Sequence, residues 1–415
     1  MYQAPRGTAD ILPEDQPLWS FTAATVTQAA HVHGYRRIDT PIFEETGLFL
    51  RTVGEETDIV QKEMYSFDDR GGTNITLRPE GTAAVCRAYL ESGMHNQAQP
   101  VRLFYLCPMF RYDRPQAGRF RQFHQFGVEA IGDTNAAVDL EVIQLAMDTM
   151  RRLGLGGMKL LLNNIGDAVD RPRFMDALQE HFRPHITHLG KDDRRRFDTS
   201  PLRLLDSKEL ARESFMNDAP KSTDFLGDEA QAHWDELLAY LDELKIPYVL
   251  DSKLVRGLDY YTRTVFEVHP DREGSQSAVC AGGRYDGLIE QLGGKPTPGI
   301  GFAAGIERLI LNLRGQGATA GIVPPAPIVI AYSGAEAKTK AVGIATELRA
   351  ADVTAVLAPE RSMKAQMRYA SSVGARKVVI LGPKELEAGV ATVRDMETAE
   401  QKEEPQGGLL ESLSN

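Results

Sequence analysis

The sequence predicts an α/β protein of the α+β type, in which an antiparallel sheet flanked by helices is followed by a smaller C-terminal α/β domain. Strand-like runs rich in aromatic and β-branched residues follow one another as neighbours over the first three quarters of the chain. Between Pro172 and Lys245 the composition turns polar, which indicates a helical insertion. After a linker from Gly315 to Pro327, strand and helix patterns alternate, which predicts a separate domain with parallel pairing.

The composition is that of a globular chain. Of 415 residues, 42% are hydrophobic and 25% are charged, which excludes a disordered or collagenous protein. The formal net charge of −11 excludes a polycation that binds nucleic acid through its overall charge, but it leaves room for local basic surfaces. The three cysteines form no CxxC pair, so neither a zinc knuckle nor a disulfide framework is predicted. Because no stretch approaches about 18 apolar residues and the N-terminus lacks the apolar core of a signal peptide, we expect a soluble, cytoplasmic protein without a membrane partner.

The elements of the first part follow from periodicity. Apolar residues at helical spacing predict a helix from Leu18 to His33, and Gly34 follows it. A short strand stopped by proline is predicted from Tyr35 to Pro41. The longer strands are expected at Val101 to Tyr112, Gln122 to Ile131, Leu258 to Val268 and Pro298 to Ala303, and further helices at Gly81 to Glu91, Asp139 to Leu153, His233 to Leu244 and Ala304 to Arg314.

The C-terminal part has a different pattern. Its strands are predicted at Ile328 to Tyr332, Val353 to Ala358 and Lys377 to Leu381, with helices at Ala335 to Ala350 and Ser362 to Val373. The polar tail from Gln401 to Asn415 is expected to be frayed or disordered. Arg361, Lys364 and Arg368 would share one helix face, which suits a phosphate backbone or is simply solvated.

The segment FRYDRPQAGRFRQFHQFGVE, Phe110 to Glu129, is a basic hairpin. Four arginines surround a Pro-Gly turn between two strands, an arrangement that suits a polyanion. Strand alternation places Gln125, Gly127 and Glu129 on one face, where the missing side chain of Gly127 leaves room for a small cationic or amide-like ligand. A surface hairpin with solvated arginines is the alternative.

Two further segments combine glycine with chemically useful side chains. In the turn RPEGT, Glu80 is placed to accept a hydrogen bond from an ammonium group and Thr82 to cap the next helix. A plain capping turn without a ligand accounts for the same residues. In VRGLDYY, Arg256 stands beside a glycine and precedes Tyr260 and Tyr261, which strand alternation would point to opposite faces. Which tyrosine would face a ligand stays open.

Several weaker patterns are set aside. GIGFAA at Gly299 matches a loose dinucleotide fingerprint, but KPTP precedes it where a parallel strand is required. Gly294-Lys295 lacks the remaining glycine of a phosphate-binding loop. His181, His185 and His188 have helical spacing, yet a proline interrupts them, so a solvated face is favoured and no metal site is predicted.

Taken together, these segments resemble the histidyl-tRNA synthetase family of class II aminoacyl-tRNA synthetases. The stretch ending at Pro41, the hairpin Phe110 to Glu129 and GIGFAAGIER resemble the three class-level motifs. LVRGLDYYTRTVFEV and AGGRYDGL resemble segments specific to the histidine enzyme. The resemblance implies a catalytic domain over 1–320 with a mainly helical insertion at 171–245, an anticodon-binding domain over 326–400 and a tail over 401–415.

The resemblance also implies roles for individual residues. Arg111 and Arg256 would be catalytic, Arg111 at the α-phosphate of ATP and Arg256 stabilising charge as the histidine carboxylate attacks. Histidine would be bound by Glu80, Thr82, Arg111, Gln125, Glu129, Arg256, Tyr260, Tyr261 and Tyr285. ATP would be bound by Arg111, Arg119 and Arg308, and the tRNA acceptor end by Gln116 and Arg121.

The implied reaction is ATP-dependent ligation of L-histidine to tRNA(His) through a histidyl-adenylate, with Mg²⁺ and with a homodimer as the assembly. One alternative is the non-catalytic regulatory subunit of ATP phosphoribosyltransferase, a paralogous family that commonly loses the arginine corresponding to Arg256 and lacks the anticodon-type domain. Another is a class II synthetase for glycine, threonine or proline, against which the Leu254 to Val268 segment argues.

Overall fold

The computed structural model describes residues 2–54, 57–115, 118–207, 209–271, 278–318 and 323–414. The chain divides into two compact units, Met1–Ile322 and Val323–Asn415. The strands of the first unit are β1 (Arg36–Arg37), β2 (Phe43–Glu45), β3 (Tyr65–Asp68), β4 (Asn74–Leu77), β5 (Val101–Phe110), β6 (Gln122–Ile131), β7 (Met158–Asn164), β8 (Val249–Leu250), β9 (Thr262–Pro270), β10 (Cys280–Arg284) and β11 (Gly299–Gly305). Its helices are α1 (Gln16–Val32), α2 (Thr46–Val53), α3 (Thr82–Glu91), α4 (Ala136–Arg152), α5 (Arg171–Phe182), α6 (Lys191–Thr199), α7 (Asp228–Glu243), α8 (Leu288–Gln291) and α9 (Ile306–Gly315).

The predicted antiparallel sheet is confirmed. Eight strands lie in the order β1-β5-β6-β11-β10-β9-β7-β8, and only the outermost pairs, β1 with β5 and β7 with β8, run parallel. A separate three-stranded sheet has the order β2-β4-β3. The neighbouring strand-like runs of the sequence therefore pair as antiparallel neighbours, with helices on the faces.

Alternation along the strands divides the two faces of the large sheet. Phe126 and Val128 of β6 pack with α1, α4, α7 and α9 in one hydrophobic cluster. The opposite face of β5 and β6 carries Tyr105 and Glu129, and its cluster includes residues of α3, α5 and the insertion. One face of the sheet is therefore a plain core, and the other is available to form a site.

Two predicted strands differ from the observed ones. The strand expected from Tyr35 to Pro41 pairs only at β1. Beyond it, the carbonyl oxygens of Thr40 and Pro41 accept from the guanidinium of Arg78 at 2.7 and 3.1 Å. The strand expected from Leu258 begins only at Thr262. Within the described parts of 171–245 the regular elements are helical, namely α5, α6, α7 and several short 3-10 turns.

The second unit contains a five-stranded sheet. Its elements are β12 (Ile328–Tyr332), α10 (Ala335–Ala350), β13 (Ala355–Leu357), α11 (Met363–Ser372), β14 (Lys377–Leu381), α12 (Pro383–Ala388), β15 (Val390–Asp395), β16 (Gln401–Pro405) and α13 (Leu409–Ser414). The strand order is β13-β12-β14-β15-β16, parallel among the first three and antiparallel thereafter. The alternating pattern thus predicted the parallel half correctly and missed the antiparallel half.

The prediction of a frayed tail from Gln401 to Asn415 is wrong for its described residues, 401–414. β16 pairs with β15 along five residues, and Leu409 and Leu413 of α13 are buried in the core beside α10. Arg376 donates to the carbonyl oxygen of Leu413 at 2.8 Å. A polar strand at a sheet edge has no apolar alternation, so its composition resembles that of a disordered segment.

The described helices of both units are shorter or more polar than a membrane-spanning helix. Across the described part of the chain, none combines the length and the apolar content that a membrane crossing needs.

Candidate active site

A cavity of about 490 Å³ lies on the second face of the large sheet. Its wall is formed by β5, β6, β9, β10 and β11 together with the turn before α3 and the loop before β9. The predicted site residues that line it are Glu80, Thr82, Arg111, Arg119, Gln125, Arg256, Tyr260, Tyr261, Tyr285 and Arg308. Segments far apart in sequence therefore meet in one place.

Glu129, a predicted site residue, does not itself line the cavity, but it is held by the hydroxyl groups of two residues that do. Thr82 Oγ1 donates to its Oε1 at 2.7 Å, and the Tyr285 hydroxyl donates to its Oε2 at 2.5 Å. The side chain is 1% exposed, and burial raises the pKa of Glu129 to about 8, although the donated hydrogen bonds from Tyr285 and Thr82 oppose the shift. A carboxyl group in this state gains most from a nearby cation, which would restore its charge.

Tyr105 occupies the space that Gly127 was expected to leave for a ligand. The two residues are cross-strand partners on β5 and β6, and a Cβ at position 127 would overlap the Tyr105 ring. The glycine is therefore required by Tyr105, and the ligand space begins above that ring. Gln125, on the same face, has a buried Oε1 with no hydrogen-bond partner among the described residues. That oxygen is an acceptor available to a ligand N–H.

Glu80, and not Thr82, caps helix α3. Its carboxylate accepts from the backbone N–H groups of Thr82 at 2.7 Å and Ala83 at 2.9 Å. The Tyr260 hydroxyl also donates to Glu80, at 3.5 Å. Burial raises the pKa of Glu80, and the two backbone donors oppose that rise. Thr82 is consequently free to hold Glu129, which connects the turn to the floor of the cavity.

Tyr260 and Tyr261 both line the cavity, which corrects the expectation that they point to opposite faces. Their ring centroids are 4.7 Å apart, and Tyr260 also contacts the Tyr285 ring at 5.9 Å. Because β9 begins at Thr262, the two tyrosines belong to the preceding loop and strand alternation does not apply to them.

Arginines form the opposite wall. Arg111 Nε donates to the carbonyl oxygen of Pro79 at 2.7 Å, and Arg308 Nη1 donates to that of Ala278 at 2.7 Å. Burial lowers the pKa of Arg308, and the positive charges of Arg119 and Arg111 add to the effect. The charges of Arg111, Arg119 and Arg308 therefore lie close enough to influence one another, and a cluster of this kind suits a bound polyanion.

Arg256 reaches the cavity from the loop before β9. Its Nη1 is paired with the Glu267 carboxylate, and its Nε is buried without a hydrogen-bond partner among the described residues. The guanidinium carbon also lies 5.7 Å from the centroid of the Tyr261 ring. Arg256 thus combines an ion pair to β9 with a ring contact to a tyrosine of its own loop.

Comparison with known proteins agrees with this geometry. Residues 7–309 match the family described as histidyl-tRNA synthetase, and residues 327–415 match the family described as anticodon binding domain. The chain belongs to the histidyl-tRNA synthetase family. A relative from Dehalococcoides mccartyi named "Histidine--tRNA ligase" is 50% identical over 411 residues, which cover 99% of this chain and 98% of the relative.

Two solved structures bear on the alternatives within this family. Apo histidyl-tRNA synthetase from S. aureus is 40% identical, with a TM-score of 0.84 and full coverage of both chains. A Bacillus halodurans structure titled as an ATP phosphoribosyltransferase regulatory subunit/histidyl-tRNA synthetase is 25% identical, with a TM-score of 0.65 and coverage of 92% of this chain and 98% of that one. The ligase reading is the one that the full-length relatives support.

Of the two predicted acceptor-end residues of this synthetase-family chain, Arg121 does not line the cavity. Gln116 lies outside the described residues. Arg121 stacks over the Tyr112 ring at 3.7 Å, and its Nε donates to the Asp113 carbonyl oxygen at 3.4 Å. Arg119, in contrast, lines the cavity and pairs with Asp113 at 3.2 Å.

Sequence reasoning missed several residues that line this site. Tyr105, Glu267 and His269 all line the cavity. A signal for the last two was present, since the pattern TVFEVH places polar side chains at alternate positions of an otherwise apolar strand. Tyr105 gave no such signal, because an aromatic residue in a buried strand is ordinarily core.

The insertion also contributes to the mouth of the cavity. Arg203 pairs with Asp259 at 2.6 Å, and Arg196 pairs with Asp58 at 3.1 Å. Asp259 immediately precedes the two loop tyrosines, so the insertion is tied to the loop that carries Arg256.

Of the three histidines that the sequence places at helical spacing, His181 and His185 contact Phe215. His181 Nε2 is 2.9 Å from the Phe215 carbonyl oxygen, and the His185 ring stacks on the Phe215 ring at 4.1 Å. Among the described residues, no group of three or more His, Cys, Asp or Glu side chains is arranged to hold a metal ion.

Proposed function

We propose that this chain ligates L-histidine to tRNA(His) in two steps, through a histidyl-adenylate, with release of pyrophosphate and AMP. The observation that carries the proposal is the meeting of an acceptor-rich floor with an arginine wall in one cavity. The floor suits the amino group and imidazole of histidine, and the wall suits the phosphates of ATP. A cavity of about 490 Å³ is also of small-molecule size.

The floor would select histidine by its hydrogen-bond donors. Gln125 Oε1 and the Glu129 carboxyl are buried acceptors, and Tyr260 and Tyr285 enclose the same space. An amino acid without an imidazole would leave a buried acceptor unpaired, which costs binding free energy. Glu80, Thr82 and Tyr261 complete the proposed set.

The first step would be in-line attack of the histidine carboxylate on the α-phosphorus, with pyrophosphate leaving. A carboxylate is ionised at neutral pH, so no protein base is required. Catalysis then consists of positioning and of stabilising the charge that develops on the α-phosphate, the role we assign to Arg111 and Arg256. The planar guanidinium of Arg308 would stack on the adenine, with Arg119 at the phosphates. Mg²⁺ would arrive as part of the MgATP substrate.

The second step would be attack of the terminal ribose hydroxyl of the tRNA on the adenylate carbonyl, with AMP leaving. Arg121 and Gln116, in the hairpin of the second motif, would meet the acceptor end. The second unit would read the anticodon, where unstacked bases are accessible to protein. Its match to the anticodon binding domain family supports this assignment.

We also propose a homodimer in the cytoplasm. The stretch that resembles the first class-level motif, together with the residues just after it, carries exposed apolar side chains. Val32, Ile42 and Phe43 are 57, 45 and 52% exposed. A protein partner would cover such exposed apolar side chains. Light scattering after gel filtration would give twice the 45.8 kDa chain mass for a dimer, and the single chain mass would contradict it.

A charging assay tests the proposed function. The purified protein is incubated with labelled histidine, MgATP and bacterial tRNA, and acid-precipitable label and AMP are measured. We expect equal amounts of histidyl-tRNA and AMP, and no product when tRNA is replaced by tRNA lacking its terminal adenosine. Folded protein that charges no tRNA but binds ATP phosphoribosyltransferase would instead support the regulatory-subunit alternative.

A further inference from the structure

We propose that Glu267, itself held by His269, is a positioning residue that sets the orientation of the Arg256 guanidinium for adenylate formation. This inference rests on the proposed function, because it concerns how Arg256 is presented to the α-phosphate.

The two oxygens of Glu267 have different partners. Oε1 pairs with Nη1 of Arg256, and Oε2 lies 2.6 Å from Nε2 of His269. Glu267 and His269 are two residues apart on β9, so they stand on the same face of the strand and both line the cavity. One carboxylate therefore connects the arginine to a second side chain on a fixed element.

Glu267 is anchored much more firmly than Arg256. β9 is paired on both sides, with Glu267 opposite Ala281 of β10 and opposite Leu161 of β7. Arg256 lies in the loop between β8 and β9, in a segment without helix or strand. A long side chain on such a loop has many rotamers, and the ion pair to the sheet restricts them.

The pair leaves the arginine able to act. Glu267 engages Nη1, whereas Nε of Arg256 is buried and has no hydrogen-bond partner among the described residues. A guanidinium carries five N–H donors, so the ion pair at Nη1 leaves Arg256 with donors that Glu267 does not use. Burial opposes ionisation of Glu267, but the hydrogen bond from His269 and the charge of Arg256 outweigh it and lower the Glu267 pKa, which keeps the carboxylate charged.

The prediction is a loss of rate with little loss of histidine binding. Glu267→Ala should lower kcat for histidine-dependent ATP–pyrophosphate exchange roughly 10- to 100-fold, because misplacing a catalytic group by about 1 Å has an effect of that order. The KM for histidine should stay within about twofold, since Gln125 and Glu129 lie on other strands. Glu267→Gln keeps an oxygen acceptor and should recover part of the rate, and His269→Ala should have a smaller effect in the same direction.

A double-mutant cycle with Arg256→Ala separates positioning from a general structural role. Single-turnover adenylate formation should fall when Glu267 is changed in the wild type but should hardly change further in the Arg256→Ala background. The matched control is Asp271→Asn, which removes an acid just beyond the end of β9. Asp271 pairs with Lys159 and does not line the cavity. That control should leave exchange unchanged.

Three outcomes would overturn the inference: an unchanged kcat in Glu267→Ala, a change confined to the KM for histidine, or equal losses in both backgrounds of the cycle. If circular dichroism and thermal unfolding show that the Glu267→Ala protein is not folded, the same comparisons are made with Glu267→Gln. Wild-type protein without histidine-dependent exchange would refute the proposed function itself, so the two failures are distinguishable.

Discussion

Glu129 combines burial with two donated hydrogen bonds, and its pKa of about 8 means that the carboxyl is mostly protonated at pH 7 in the ligand-free protein. A bound cation lowers the pKa of such a group, so we expect histidine binding at pH 7 to release a proton from Glu129. The contribution of Glu129 to histidine affinity should then rise with pH up to about 8. At higher pH a smaller fraction of the carboxyl is protonated before binding, so less free energy is needed to ionise it.

Calorimetry in buffers of different ionisation enthalpy measures that proton release. The binding enthalpy of the wild type should depend on the ionisation enthalpy of the buffer, and the slope gives the number of protons released. That number should be smaller by up to one in Glu129→Gln. The comparison with the variant removes the contribution of the histidine imidazole itself. Equal slopes for both proteins would show that Glu129 does not change its protonation on binding.

The residues that the sequence predicted well are those that strand alternation places. Gln125 and Glu129 do share the face of β6 that carries the cavity. What alternation could not provide is the identity of cross-strand partners, which depends on the register across the basic hairpin. For that reason Tyr105 above Gly127 was missed, and so was the pairing of Glu267 with Arg256 across a loop.

At the scale of elements, β11 passes close to Glu129 at Gly301. A Cβ at Gly301 would overlap both the carbonyl oxygen of Val128 and the carboxylate of Glu129. The first of these is backbone in a central strand and cannot move without disturbing the sheet. We expect Gly301→Ala to destabilise the protein by about 1–3 kcal/mol and to weaken histidine binding.

Urea unfolding and histidine titration check the Gly301 prediction. The matched control is Gly305→Ala on the same strand, whose Cβ would meet only Arg308 side-chain atoms at 3.7 Å or more. That variant should unfold within about 0.5 kcal/mol of the wild type. A Gly301→Ala protein as stable as the control would mean that β11 tolerates a side chain at this point.

Many elements were predicted, but the three-stranded sheet of β2, β3 and β4 was missed, and boundaries were predicted less well. The β14 strand and helix α10 agree with the sequence prediction residue for residue, because a buried apolar run and a long helical period are strong local signals. The loop before β9 was predicted as part of the strand because tyrosines are common in strands. Packing instead places both tyrosines in the lining of the cavity. β16 is polar and at an edge, so its pairing depends on β15 and not on its own composition.

At the scale of the whole molecule, an acidic chain carries a local basic surface on its second unit. Arg361, Lys364 and Arg368 are all exposed, although Arg361 precedes α11 and does not lie on the helix as predicted. We expect charge reversal of all three to lower kcat/KM for tRNA charging by about tenfold or more and to reduce its salt dependence, because phosphate contacts release counterions.

Histidine-dependent ATP–pyrophosphate exchange, which needs no tRNA, should be unchanged in that triple variant. Reversal of three exposed lysines on other elements of the same unit, Lys340, Lys384 and Lys402, serves as the control for net charge. If both triple variants lost the same fraction of charging, the effect would belong to overall charge and not to this surface.

The division of the chain into two kinds of architecture was visible in the sequence. Neighbouring strand runs predicted the antiparallel sheet, and alternation after the Gly- and Pro-containing linker predicted parallel pairing of β12 with β13 and β14. The convergence of Arg111, Arg256 and Arg308 could not be derived from spacing alone, since 145 positions separate the first two. It came from the resemblance of the motifs to the family, and the structure brings the three residues to one cavity.

The central claim is that this cavity activates histidine, and amino-acid-dependent ATP–pyrophosphate exchange tests it most directly. The purified protein is given MgATP, labelled pyrophosphate and each of the twenty amino acids in turn. The account predicts exchange with L-histidine alone and without tRNA. Exchange with a different amino acid would contradict the assignment of the floor, and the absence of exchange with any amino acid in folded protein would contradict the assignment of catalysis to this chain.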